Sequence, residues 1–149
     1  MICAIYARKS TDDSYKDREA QSTTRQIENA TAYAVTKGWI VDEAFIFMDN
    51  DVSGAEWKHR PGFNALLAAL APRPSFGVLI VENLSRIGRD TVRTPLAVLQ
   101  LEEAGVEIHT YTGERISMAD ESNEIATVVQ SLVTSFQRNS AQKLSHAAA

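Results

Sequence analysis

The sequence is poor in the residues on which several classes of chemistry depend. Its single cysteine, Cys3, can form no internal disulfide and lies in an apolar segment, which fits a reduced, cytoplasmic setting. The 3 histidines and that cysteine show no zinc-ligand spacing, and no glycine-rich loop is present to cradle a phosphate. No apolar run approaches the ~18 residues of a membrane span. Met1 to Ile5 has no basic region ahead of it, which argues against a secretory signal. Positive charge is also in short supply: 15 basic residues face 19 acidic ones, for a net charge of −4. A surface that binds nucleic acid everywhere is therefore disfavoured, whereas a local basic site remains open. Trp39 and Trp57 are too scattered to form a base-stacking platform.

What remains is an ordinary composition over 149 residues, enough for one domain with a full core. There is no internal repeat, low-complexity segment or interdomain linker. Ile2 to Ala7 reads as a buried strand, followed by a polar loop over residues 10–17. A helix is expected from about Arg18, with Ile27, Ala30 and Ala34 on one face and Gly38 as its stop. Val41 to Met48 reads as a second strand, and Asp49 to Gly54 as a turn. Pro61 suits a first helical turn, and Phe63, Leu66, Leu67 and Leu70 supply that helix's apolar face. Phe76 to Val81 is a third strand and Glu82 to Asp90 a polar turn. A helix carrying Leu96, Val98 and Leu99 closes at Gly105, before a fourth strand from Val106 to Tyr111. Strand and helix alternate four times, which argues for an α/β fold with a mainly parallel central sheet flanked by helices.

A last helix, about residues 122–146, carries Ile125, Val128, Leu132 and Phe136 at helical spacing. From Asn123 it would span roughly 36 Å at 1.5 Å per residue, long for a small domain. It reads equally as a packed terminal helix with a frayed end or as one projecting to a partner subunit or a missing domain.

Ligands of parallel α/β sheets sit beyond the carboxyl ends of the strands. Arg8, Lys9 and Ser10 follow the first strand, Ser53, Lys58, His59 and Arg60 the second, and Ser85, Arg86, Arg89 and Arg93 the third. Several guanidiniums around a hydroxyl suit phosphate chemistry, because Arg binds phosphate oxygens through two donors and stabilises charge building on them. The plainer alternative pairs individual arginines with Asp12, Asp13, Asp51 or Asp90. A Ser-His-Asp triad would need His59, His109 or His146, and no nucleophile-elbow motif accompanies them. Asp49-Asn50-Asp51 could ligate Mg²⁺ through oxygen, but this composition reads first as a turn.

Five segments then occur in order: Tyr6-Ala7-Arg8-Lys9-Ser10, Ser22-Thr23-Thr24-Arg25-Gln26, Asp51-Val52-Ser53-Gly54, Arg60-Pro61-Gly62-Phe63 and Leu84-Ser85-Arg86-Ile87-Gly88-Arg89-Asp90. Together they resemble the catalytic domain of serine recombinases, the resolvase/invertase family, and most of all its large serine integrase branch. The resemblance runs from Tyr6 into the final helix. It implies a resolvase-like catalytic domain over residues 1–149 that breaks and rejoins DNA. A serine hydroxyl attacks a phosphodiester, giving a 5′-phosphoserine link and a free 3′-hydroxyl, with no metal and no cofactor. Carried over residue by residue, Ser10 is the nucleophile, Arg8, Arg86 and Arg89 surround the scissile phosphate, and Arg60 and Gln26 support it. The implied partners are double-stranded DNA attachment sites and further copies of the chain, as a homodimer and as a tetramer in the synaptic complex.

Some positions depart from the family pattern. Ser85 stands where many members carry Asp, Gly77 where an acid is frequent, and Phe136-Gln137-Arg138 where the family has Phe-Glu-Arg. Members continue into separate DNA-binding domains, and the resemblance implies that residues 1–149 cover the catalytic domain without them. On that reading the chain alone is expected to bind DNA weakly and without sequence preference. Two rival readings make different demands on the sequence. A non-catalytic dimerisation module would have lost the serine or several arginines, and a small-molecule phosphotransfer enzyme would show a metal site or a cysteine nucleophile.

Overall fold

The computed structural model describes residues 1–9, 22–50, 60–88 and 90–117. Their elements are β1 (Ile2–Lys9), α1 (Thr23–Thr36), β2 (Ile40–Asn50), α2 (Pro61–Ala68), β3 (Val78–Val81), α3 (Leu84–Ile87), α4 (Arg93–Glu103), β4 (Glu107–Thr110) and β5 (Arg115–Ile116). The sheet order is β2-β1-β3-β4-β5; β5 runs antiparallel to β4 and every other pairing is parallel. This is the α/β architecture expected from the sequence. The long final helix lies outside the described residues.

The strands β1 and β3 read as unbroken apolar runs because both of their faces are covered. Cys3, Ile5, Val78 and Ile80 point to one face, where Ala30 and Ala34 of α1 pack on them. Ala4, Tyr6, Leu79 and Val81 point to the other face, against Phe63 and Leu66 of α2 and Ala97, Val98 and Leu101 of α4. Gly38 and Gly105 end α1 and α4 with φ of 73° and 88°, the left-handed conformation that glycine adopts without a steric penalty.

Four expectations need correction. The strand β2 runs on through Asp49 and Asn50, so these two residues are not part of a turn. The polar turn after β3 contains a one-turn helix, α3, and β5 had no counterpart in the sequence reading. The buried face of α4 is Thr94, Pro95, Ala97, Val98 and Leu101, whereas Leu96 is exposed. Leu99 packs at the edge of the same core cluster, partly buried.

Candidate active site

The carboxyl ends of β1, β2 and β3 converge with the N-termini of α1 and α2 and with α3. Arg8 lies opposite Asp49, and Lys9 opposite Asn50, in the β1–β2 register. The α1 helix starts at a Ser22 cap whose hydroxyl accepts from the Arg25 amide. This places Gln26 beside the end of β1. Gln26 Nε2 donates to the Arg8 carbonyl at 3.0 Å and its Oε1 accepts from the Arg8 amide at 3.2 Å. Gln26 thus clamps the main chain two residues before Ser10.

The local sequence around α2 solves a close-packing problem. Pro61 occupies the first helical position, where a missing N–H costs nothing. Arg60, the residue before it, makes no side-chain cap; Asp49 of β2 caps the helix instead. Asp49 Oδ1 accepts from the Gly62 amide at 2.8 Å, and Oδ2 accepts from the Phe63 amide at 2.9 Å and the Tyr6 hydroxyl at 2.7 Å. A carboxylate on the exposed N–H groups of a helix start is favoured by both hydrogen bonding and the helix dipole. Burial is the main cause that pushes the Tyr6 hydroxyl pKa far above its ordinary value, so it stays a donor.

The approach is tight enough that a Cβ on Gly62 would collide with the Met48 carbonyl. Gly62→Ala should therefore destabilise the chain by about 1–3 kcal/mol. Urea unfolding checks this, and an unchanged midpoint would mean that strand and helix are not in close contact.

The helix α3 is too short to satisfy its own carbonyls, and two arginines do it. Arg8 and Arg60 are fully buried. Arg8 donates from Nε to the Arg86 carbonyl at 3.1 Å and from Nη2 to the Ser85 carbonyl. Arg60 donates from Nη1 to the Ile87 carbonyl and from Nη2 to the Arg86 carbonyl and the Tyr6 hydroxyl, both at 2.9 Å. Its guanidinium also lies 4.4 Å from the Phe63 ring centre and 5.4 Å from that of Tyr6. Positive charge at the C-terminus of a helix complements its dipole. At the other end of α3, Asn83 Oδ1 accepts from the Ser85 amide at 3.0 Å, and Ser85 Oγ turns to the same oxygen.

Braced in this way, α3 presents Arg86, whose Nη2 lies 3.4 Å from Glu82 Oε1. Of the residues expected at the site, the structure brings together Arg8, Gln26, Arg60 and Arg86. Arg93 sits apart at the start of α4, where its amide and that of Val92 bond to Asp90. These two backbone bonds hold the Asp90 carboxyl below its ordinary pKa. Ser10, Ser53, Lys58, His59 and Arg89 lie outside the described residues. Sequence reasoning gave no role to Glu82, Asn83 or Tyr111, and it read Asp49 only as turn or metal ligand. The one local signal for Glu82 was its i, i+4 spacing to Arg86.

The site concentrates guanidinium charge beside the end of β1; among the described residues no three His, Cys, Asp or Glu side chains cluster to hold a metal ion. No described helix is long and apolar enough to cross a membrane.

Known proteins resemble this chain in sequence and in fold. The serine recombinases PinR and PinQ of Escherichia coli (strain K12) are each 30% identical to the chain over 135 residues, which is 90% of this chain and 61% of theirs. The chain thus spans less than two thirds of these curated relatives. The N-terminal catalytic domain of TP901-1 integrase matches with a TM-score of 0.69 at 25% identity, over 93% of this chain and 98% of that one. A resolvase family site-specific recombinase from Streptococcus pneumoniae has the same fold, with a TM-score of 0.65 at 18% identity over 97% of this chain and 93% of its own. The family described as Resolvase, N terminal domain matches residues 3–149, from β1 through every arginine discussed above, and the chain belongs to that family.

Proposed function

We propose that the chain is the catalytic domain of a serine site-specific recombinase acting on double-stranded DNA. The observation that carries this is the gathering of Arg8, Arg60, Arg86 and Gln26 around the end of β1, two residues short of Ser10. In the proposed reaction Ser10 Oγ attacks the scissile phosphorus. The new Oγ–P bond forms as the P–O3′ bond breaks, leaving a 5′-phosphoserine link and a 3′-hydroxyl that takes up a proton. Religation reverses the step with an exchanged 3′-hydroxyl, so no external energy source is needed. Arg86 and Arg89 supply positive charge to the phosphorane-like transition state, while Arg8 and Arg60 hold the turn that carries them. Gln26 fixes the strand from which Ser10 is presented. A homodimer that pairs into a synaptic tetramer, with the residue 122–146 helix as contact, completes the reading.

The whole recombinase on a cognate site should yield DNA covalently linked to protein, and Ser10→Ala should abolish that species while leaving the fold intact. Protein-linked DNA from Ser10→Ala would remove Ser10 as the nucleophile.

A further inference from the structure

A carboxylate stands among the guanidiniums. The strand β3 ends at Val81, and the chain enters α3 through Glu82 and Asn83. Glu82 Oε1 lies 3.4 Å from Arg86 Nη2, and Asn83 Nδ2 reaches the same oxygen at 3.4 Å. Tyr111, just beyond β4, faces Glu82 and Asn29. Burial first, and the Glu82 charge next, push its hydroxyl pKa up to about 12, so it remains neutral beside the carboxylate. The Arg86 side chain is 3% exposed and that of Glu82 18%. A well-formed charge-assisted bond is about 2.7–2.9 Å and often two-pronged. The Glu82 contact is longer and uses one oxygen, so Glu82 neutralises Arg86 through a bond that a phosphate oxygen can replace.

We propose that Glu82 is a resident anion of the phosphate site: it carries the Arg86 charge while DNA is absent and yields the guanidinium to a phosphodiester when DNA binds. The proposal rests on the reading of Arg86 as a phosphate ligand. A buried guanidinium left without an anion is costly, so an internal carboxylate opposite it keeps the empty site folded. The same carboxylate repels any phosphate that enters, since two anions then face one fork. Only DNA held by further contacts elsewhere offsets that repulsion, which restrains attack on stray phosphodiesters. Glu82 therefore acts on phosphate affinity and is not itself a catalytic residue.

The probe is the dinucleotide thymidylyl-thymidine, which carries one phosphodiester, titrated into this chain while the arginine Nε–H resonances are followed by NMR. Glu82→Gln should bind it about tenfold more tightly than wild type, with the Arg86 resonance moving most. Glu82→Asp keeps the charge but retracts it by one methylene, and should fall between the two. That order separates charge competition from a folding defect. Arg86→Met should lose the binding. If Arg86→Met binds like wild type, Arg86 is not a phosphate ligand, and the reading beneath the proposal fails with it. If Arg86→Met loses binding but Glu82→Gln binds equally or more weakly, Glu82 is not a competitor and the phosphate reading stands. Absence of binding by every variant, Glu82→Gln included, would overturn both.

Discussion

Arg60→Met should lower stability by about 3 kcal/mol, a fall in melting temperature of roughly 10 °C for a chain of this size. The substitution keeps much of the side-chain volume, so little of the effect comes from a cavity. What is lost is the set of donors that meets the Ile87 and Arg86 carbonyls and the Tyr6 hydroxyl. The Arg86 carbonyl retains Arg8 as a partner, but the Ile87 carbonyl would be left buried without its Arg60 donor, at ~1–3 kcal/mol for such a group. The face contact with Phe63 at 4.4 Å goes as well. Arg60→Lys retains the charge but has no planar fork to reach two carbonyls, so it should recover only part of the loss. Thermal unfolding of the two variants checks this. If Arg60→Met melts within a degree or two of wild type, the guanidinium is not what holds α3.

That result would also give Arg60 a supporting role in the proposed chemistry, exercised through the α3 backbone. Every element of the Arg-Pro-Gly-Phe segment is committed to packing. The arginine braces α3, the proline starts α2, the glycine admits the Met48 carbonyl, and the phenylalanine fills the core. Loss of Arg60 would remove the brace on the helix that carries Arg86.

The parts of this design that were legible in the sequence are those with a local cause. The strands β1 and β3 announce themselves because burial on both faces demands uninterrupted apolar residues, as in Ile2 to Ala7 and Phe76 to Val81. Gly38 and Gly105 mark helix ends because the left-handed conformation is a property of one residue. The arginines were placeable because ligands of such sheets gather beyond strand ends. What escaped was set by distant partners. Asp49 has turn-forming chemistry in its own neighbourhood, but its carboxylate answers amides 13 and 14 residues further on. The helix α3 has only 4 residues and depends on donors from Arg8 and Arg60, far away in the chain. On α4, Leu96, Val98 and Leu99 share only Val98 with the buried face, which tertiary packing sets at Thr94, Pro95, Ala97, Val98 and Leu101.

Arg86→Lys should reduce strand cleavage by the whole recombinase about 10²–10³-fold, while DNA affinity changes little. Lysine keeps the charge, so attraction to the phosphodiester in the bound ground state survives. It lacks the paired, fixed N–H groups that meet two oxygens as charge accumulates on them during attack. Stability should fall less than cleavage, because an ammonium keeps the positive charge that faces Glu82, 3.4 Å away. Arg8→Lys provides the contrast. Its guanidinium donates to both the Ser85 and Arg86 carbonyls, so shortening the fork to one ammonium should depress melting temperature and cleavage together. Single-turnover cleavage, mobility-shift titration and thermal unfolding, measured on both variants, separate the two roles. If Arg86→Lys weakens binding as much as cleavage, Arg86 positions the DNA and does not stabilise the transition state. If Arg8→Lys cleaves poorly at an unchanged melting temperature, Arg8 acts on the phosphate directly, and its buried fork must turn outward once DNA is bound.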